Sequence, residues 1–168
     1  MPTHEGRIWK FGDDVNTDLI IPGKYLDNYD PAHLASHVME GARKDFASRM
    51  SEGDIIVGGA NFGCGSSREQ AVIALKHAGV SAVVARSFAR IFFRNSINLG
   101  LPALVSADAE KLFSDGERVI IDSDSSSLQS ADGLRTATIE PLPPHIDQIL
   151  RKGGLVPYLK TMLAERRD

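Results

Sequence analysis

Short apolar runs alternate with helical patterns along the first two thirds of this chain. The runs predict strands at residues 6–11, 54–58, 81–85 and 102–106. Apolar positions at helical spacing predict helices over residues 31–40, with an extension towards 50, and over 67–78 and 88–98. Asp30 followed by Pro31 is typical of a helix start. This alternation favours an α/β fold with parallel strands.

The last third of the chain has a different pattern. Turns rich in Ser, Asp and Gly separate three short runs, which predict antiparallel strands at residues 118–122, 126–130 and 135–139. Two helices are predicted after them, at residues 144–151 and 155–165. Residues 12–30 are rich in Gly, Asp, Asn and Pro and predict a long loop. Because no linker or repeat divides the chain, we expect residues 1–168 to form a single domain.

Composition excludes several classes of protein. The 168 residues carry a net charge of −3, so no overall basic field favours nucleic acid or a membrane surface. The N-terminus lacks the pattern of a signal peptide and no apolar run could span a bilayer, so a cytoplasmic protein is expected. Cys64 is the only cysteine, which excludes an intramolecular disulfide and a zinc or iron–sulfur site built from this chain's thiolates alone. His33 and His37 lack the carboxylate of a helical metal motif, and no metal is expected there.

Residues 58–79, GGANFGCGSSREQAVIALKHAG, carry the strongest chemical signal. A predicted strand leads through a glycine-rich turn into a predicted helix, whose free N–H groups and positive dipole end favour an anion. Arg68 falls in the first turn of the predicted helix, where a positive charge destabilises the helix. Its presence there is explained if the guanidinium binds a carboxylate ligand, and equally well if it pairs with a nearby acidic side chain. Ser66 with Glu69 and Ser67 with Gln70 also match capping boxes, so each serine is either a helix cap or a ligand group.

The same turn, Asn61-Phe62-Gly63-Cys64-Gly65-Ser66-Ser67-Arg68-Glu69, resembles the signature of the swivelling domain of aconitase-family hydro-lyases. Three further blocks resemble that family in the expected order, at residues 12–22, 87–102 and 153–160. The resemblance covers nearly the whole chain and is closest to the shorter, archaeal-type small subunits. It implies a three-layer β/β/α swivelling domain with additional antiparallel strands.

The resemblance also implies roles for particular residues. Ser66 corresponds to the catalytic base that removes a proton beside a substrate carboxylate, and Ser67 and Arg68 would hold that carboxylate. Asp18 corresponds to an acid of the active-site loop and would orient catalytic groups. This chain would bind no cofactor, and a large partner subunit would carry a [4Fe–4S] cluster whose open iron assists the departure of hydroxide.

The resemblance implies a dehydration and rehydration of a hydroxy acid, with 3-isopropylmalate dehydratase in leucine biosynthesis as the leading expectation. Homoaconitase and hydratases of 2,3-dimethylmalate or citramalate are the alternatives. The family reads its substrate with the loop at residues 22–29, here including Tyr25, Leu26 and Asp27. An arginine directly after the leucine would favour a substrate with a distal carboxylate, and an apolar residue there would favour a substrate with an alkyl group. This chain has Asp27 at that position, which matches neither pattern.

Two further interpretations stay open on the sequence alone. Arg86, Arg90 and Arg94 are spaced four apart and would either neutralise substrate carboxylates, contact the large subunit or lie in solvent. A chain that keeps this fold without catalysis would be an anion-binding module, with an RNA-binding role disfavoured by the acidic charge balance.

Overall fold

Seven strands form one mixed β-sheet in the computed structural model, which describes residues 3–122 and 125–166. The order of the strands across the sheet is β4-β3-β2-β1-β5-β6-β7. The strands are β1 His4–Lys10, β2 Ile55–Gly58, β3 Ala82–Ala85, β4 Ala103–Val105, β5 Arg118–Asp122, β6 Ser127–Ser130 and β7 Thr136–Thr138. Every predicted strand is therefore confirmed, although residues 123 and 124, in the turn predicted between β5 and β6, lie outside the described part of the chain.

Eight helices accompany the sheet within the described residues. They are α1 Thr17–Ile20, α2 Pro31–Ser36, α3 Phe46–Arg49, α4 Glu69–Ala78, α5 Arg90–Leu99, α6 Ala109–Leu112, α7 Pro144–Arg151 and α8 Leu155–Glu165. None of them is long and apolar enough to cross a bilayer.

The parallel half of the sheet consists of β1 to β4. β2 pairs in parallel with β1 and with β3, and β3 pairs in parallel with β4. Helix α4 connects β2 to β3, and α5 connects β3 to β4. Because parallel strands point the same way, the loops that follow β1, β2 and β3 emerge at one edge of the sheet, which is where a ligand site is expected in an open α/β sheet.

The antiparallel strands close one face of the parallel half. Alternate side chains of each parallel strand point to opposite faces, so Ile56 and Val83 join one apolar cluster while Ile55 and Val84 join another. The first cluster is completed by residues of α2 and α4. The second contains buried residues of β5, β6 and β7. The result is the three-layer β/β/α arrangement with additional antiparallel strands that the sequence predicts.

Two predictions for the first third of the chain are wrong in detail. The predicted loop at residues 12–30 contains α1 and a 3₁₀ turn, Gly23–Tyr25. The helix starting at Pro31, capped by the Asp30 side chain, ends at Ser36 instead of continuing towards residue 50. The reason is a tertiary contact, because the N–H of Met39 donates to the carbonyl of Ile20 and Met39 adopts a left-handed φ of 59°.

Asp54 fixes the start of β2 from a buried position. Its carboxylate accepts hydrogen bonds from the N–H groups of Ser51 and Arg7 at 2.9 and 3.1 Å, and from the indole of Trp9 at 2.8 Å. Burial alone would raise the pKa of Asp54, but these donors outweigh burial and hold the pKa below its usual value.

We expect Asp54→Asn to lower the free energy of unfolding at pH 7 by about 2 kcal/mol, because an amide turns N–H groups towards some of these donors. A carboxyl group whose pKa is lower in the folded protein than in the unfolded chain stabilises the fold. This stabilisation is fully present at pH values above the pKa of the unfolded state, and it is lost as the pH falls through the pKa of the folded state. Urea unfolding should therefore show the difference between wild type and variant shrinking below about pH 4. A difference that stays constant down to pH 3 would contradict this account.

Candidate active site

The site is assembled where the loop after β1 meets the turn after β2. Backbone hydrogen bonds join these two segments, because Gly63 N–H donates to the Val15 carbonyl at 2.7 Å and Thr17 N–H donates to the Cys64 carbonyl at 2.9 Å. The Thr17 hydroxyl donates to the Ser66 carbonyl at 3.0 Å. These contacts place the residues around Asp18 beside the residues around Ser66, although about 50 positions separate them in sequence.

Glycine is required at the bend of this turn. Gly63 has a φ of 80°, a conformation that other residues rarely adopt, and a Cβ atom there would overlap the ring of Phe92. Phe92 is buried and contacts the rings of Phe62 and Phe88, so it has little room to move. The close approach of the turn to α5 therefore depends on the missing side chain.

Neither serine caps the helix, so of the two alternatives that the sequence leaves open, a cap or a ligand group, the cap does not apply. Helix α4 begins at Glu69, two residues later than predicted, and its N-cap is Arg68 with no side-chain cap. Within residues 3–122 and 125–166, no protein acceptor receives the backbone N–H groups from Cys64 to Gln70. Ser66 and Ser67 are exposed beside these donors, and the Ser66 hydroxyl lies 3.4 Å from the hydroxyl of Thr17. The turn is thus a group of free donors that suits an anion.

Arg68 pairs with Asp18, the acid predicted for the same site. The guanidinium donates from Nη1 to Asp18 Oδ1 at 3.0 Å and to the carbonyl of Ile21 at 3.2 Å. The hydrogen bond from Arg68, followed by one from the Gly23 N–H, holds the pKa of Asp18 below its usual value. Since the hydrogen bonds of the guanidinium to other described residues both come from Nη1, the N–H groups of Nη2 and Nε are available to a ligand.

A cavity of about 370 Å³ opens beside this turn. Ser66, Ser67 and Arg68 line one side of it, and buried Thr17 contributes to the same wall. The start of α5 lines another part, with side chains that include Arg90, Arg94 and Asn95. The lining contains no acidic side chain, which gives the cavity the electrostatics of an anion site.

The three residues predicted to bind the substrate from the loop at 22–29 lie outside the lining of this cavity, although Gly23 of the same loop donates to Asp18. Tyr25 and Leu26 pack against the apolar cluster on the helical face, and Asp27 is exposed. The Tyr25 hydroxyl donates to Glu40 at 2.8 Å and its ring stacks on His37 at 3.7 Å. None of the three predicted substrate-binding residues of this loop lines the cavity, so this structure does not bring them to Ser66.

Sequence reasoning missed Thr17 and Asn95. Thr17 lies in the quoted segment Asn16-Thr17-Asp18, but its contact with Ser66 depends on packing between two distant loops. Of the three regularly spaced arginines, Arg86 pairs with Asp13 at 2.6 Å, while Arg90 and Arg94 face the cavity. Among residues 3–122 and 125–166, no group of three or more His, Cys, Asp or Glu side chains could hold a metal ion.

This arrangement of fold and turn is that of the aconitase C-terminal domain, whose family model matches residues 45–108. The chain is 54% identical to the methanogen homoaconitase small subunit of Methanothermobacter thermautotrophicus, over 94% of this chain and 91% of that protein. It is 49% identical to the 3-isopropylmalate dehydratase small subunit of Syntrophus aciditrophicus, over 92% of this chain and 94% of that protein.

A crystal structure described as 3-isopropylmalate dehydratase from Methanocaldococcus jannaschii superimposes with a TM-score of 0.92 at 47% identity, covering 99% of this chain and 100% of that one. Identity at this level over nearly the full length establishes both fold and family. The chain therefore belongs to the aconitase family of hydro-lyases, among its small subunits.

Proposed function

We propose that this chain is the small subunit of a two-chain 3-isopropylmalate dehydratase, which interconverts 2-isopropylmalate and 3-isopropylmalate by dehydration and rehydration. The observation that carries the proposal is the cavity with two serine hydroxyls, the Arg68 guanidinium and unpaired backbone N–H groups, and with no acid in its lining. Such a surface binds the carboxylate of a hydroxy acid and places a hydroxyl beside the carbon next to it.

Each predicted group has a step that its position supports. Arg68 and Ser67 would bind one substrate carboxylate, with Asp18 holding the guanidinium in place through the 3.0 Å ion pair. The Ser66 oxygen, ionised to the alkoxide, would take the proton from the adjacent carbon to become a hydroxyl, and would give that proton back to carbon on rehydration. The neighbouring backbone N–H groups would stabilise the negative charge on that oxygen while it acts as the base, and the Thr17 hydroxyl, which donates to the Ser66 carbonyl, would hold the residue in position.

A partner chain is part of this proposal. Ser66 is exposed, and a serine hydroxyl is a very weak acid whose alkoxide is destabilised further by burial alone, so a second surface is needed to bring positive charge or hydrogen-bond donors to that oxygen as it excludes water. A [4Fe–4S] cluster needs several thiolate ligands and this chain has one cysteine, so its residues do not fit the cluster. The cluster would belong to the large subunit.

Sequence similarity does not distinguish the alternative substrates, because the homoaconitase small subunit and the 3-isopropylmalate dehydratase small subunit each share about half of their residues with this chain. An experiment is needed to distinguish them. Homoaconitase is the first alternative, followed by hydratases of 2,3-dimethylmalate or citramalate. Asp27 is exposed and separate from the cavity, so the mismatch at that position does not by itself exclude an alkyl-substituted malate.

The test is reconstitution with the large iron–sulfur subunit, followed by the absorbance of the unsaturated intermediate. We expect the highest kcat/KM with 3-isopropylmalate, and lower values with homoaconitate, 2,3-dimethylmalate and citramalate. A complex that forms with an intact cluster and neither dehydrates nor hydrates any of the four would contradict the enzyme assignment. Tight binding of a small dicarboxylate by the isolated chain would then favour the non-catalytic module.

Two expectations from the sequence stay predictions. One is that residues 1–168 act as a single domain, which is supported by the single seven-stranded sheet that joins strands from both halves of the chain. The other is a cytoplasmic location.

A further inference from the structure

The 3₁₀ turn Gly23–Tyr25 lies directly against the Arg68 guanidinium. The Gly23 N–H donates at 3.1 Å to Asp18 Oδ1, the same carboxylate oxygen that accepts from Arg68. A Cβ atom on Gly23 would lie 3.8 Å from Arg68 Nη2, so the turn borders the part of the guanidinium that is available to a ligand. The location of this turn therefore limits the positions that Asp18 and Arg68 can adopt.

Tyr25, the last residue of the turn, is held by two side chains that follow α2. Its hydroxyl donates to Glu40 Oε1 at 2.8 Å, and its ring stacks on His37 with 3.7 Å between the ring centroids. His37 Nδ1 lies 2.8 Å from Glu40 Oε2 and is the donor, because an ionised carboxylate only accepts. The hydrogen bonds from His37 and Tyr25 hold the pKa of Glu40 below its usual value. Each oxygen of this carboxylate is therefore used by one of the two rings, and the exposed Lys24 adds a longer ion pair at 3.8 Å.

The backbone on both sides of Glu40 is fixed to α1, the helix that carries Asp18. On one side, the Met39 N–H donates to the Ile20 carbonyl at 2.6 Å. On the other side, Gly41 packs so closely on α1 that a Cβ atom there would lie 2.8 Å from the Asp18 carbonyl oxygen. Glu40 is thus a fixed anchor point, and the contacts form a closed ring from α1 through the turn and Glu40 back to α1.

On the basis of the proposed function, we propose that Glu40 is a positioning residue of the substrate site. Through Tyr25 it holds the 3₁₀ turn against Asp18, and it thereby keeps the Arg68 guanidinium directed at the substrate carboxylate. Tyr25 contributes to binding through the position of the turn, without touching the substrate, which agrees with the place of its side chain outside the cavity lining.

The first test is steady-state kinetics of the reconstituted complex with Tyr25→Phe and with Glu40→Ala. Each change removes the hydrogen bond between the two side chains, and Tyr25→Phe keeps the ring that stacks on His37. We expect KM to rise roughly 5- to 10-fold in each variant, with kcat within about threefold of wild type, because the loss weakens binding of substrate and transition state alike. Tyr29→Phe, a matched change on an exposed tyrosine of the same loop, should leave both constants unchanged.

Two further variants separate positioning from a general loss of stability. Since both single changes act through one hydrogen bond, the double variant Tyr25→Phe/Glu40→Ala should show the KM of Glu40→Ala alone. Glu40→Gln keeps an acceptor for the Tyr25 hydroxyl and should bring KM to within about twofold of wild type. The inference is overturned by an unchanged KM in Tyr25→Phe, by effects on KM that multiply in the double variant, or by a KM of Glu40→Gln equal to that of Glu40→Ala.

A measurement on the isolated chain does not depend on enzyme activity. The Gly23 N–H, which donates to Asp18, exchanges its proton with water when this hydrogen bond opens. NMR should show the exchange becoming roughly three- to tenfold faster in Tyr25→Phe, and staying at the wild-type rate in Tyr29→Phe. Equal exchange rates in wild type and Tyr25→Phe would overturn the inference. An inactive complex whose small subunit still shows the faster exchange in Tyr25→Phe would refute only the proposed function.

Discussion

Ser66→Ala in the reconstituted complex should reduce kcat by about 10³-fold, since a positioned general base contributes roughly two to four orders of magnitude. The wild-type hydroxyl is exposed at the cavity, beside unpaired N–H groups and 3.4 Å from the Thr17 hydroxyl. The change removes one oxygen and its 3.4 Å contact with Thr17, but the Thr17 hydroxyl keeps its hydrogen bond to the Ser66 carbonyl, and α4 begins three residues later. KM and the thermal unfolding temperature should therefore stay close to those of wild type. Steady-state kinetics and a melting curve on the same preparation provide the measurement.

Ser67→Ala is the matched control, because Ser67 lies next in the chain, lines the same cavity and is equally free of a capping role. As a carboxylate-binding group it should act mainly through KM, with a smaller loss in kcat. If both variants lose kcat equally, the hydroxyls act together and the assignment of Ser66 as the single base is wrong. If Ser66→Ala retains wild-type kcat, the proton is removed by another group.

Gly63→Ala should destabilise the protein by about 3 kcal/mol, the sum of roughly 1 kcal/mol for a left-handed backbone and about 2 kcal/mol for overpacking. The φ of Gly63 is 80°, and the added methyl group would overlap the buried Phe92 ring. For a chain of this size, the midpoint of thermal unfolding should fall by roughly 6–12 °C. Activity in the complex should fall as well, since displacing the turn shifts Ser66 and Arg68 relative to α5.

Gly116→Ala separates the two parts of this effect. Gly116 has a nearly identical φ of 82°, but a Cβ atom there meets nothing within 4 Å. It should therefore show the backbone cost of about 1 kcal/mol alone, with activity unchanged. Equal losses in the two variants would mean that contact with Phe92 does not constrain the turn. A Gly63→Ala protein of wild-type stability would contradict the close approach between the turn and α5.

Local chemistry was sufficient to predict most elements of this fold. Buried parallel strands such as 54–58 and 81–85 are short apolar runs bounded by turn residues, and their pattern does not depend on distant parts of the chain. The helix beginning at Pro31 was predicted for the same reason, since its cap, Asp30, is a neighbour in sequence. Its early end was not predictable, because the contact that ends it joins Met39 to Ile20 in another segment.

For the site, the sequence by itself determined the glycine-rich turn, the two serines and Arg68, which occupy consecutive positions and resemble a known motif. Only the tertiary structure decided that the serines are free of helix capping, because a capping box and a ligand turn have the same residue pattern. Packing also determined two contacts, between Asp18 and Arg68 and between Thr17 and Ser66. It likewise placed Arg90 and Arg94 at the same cavity. These groups belong to three segments that only the folded sheet brings together, so no spacing along the chain could encode their distances.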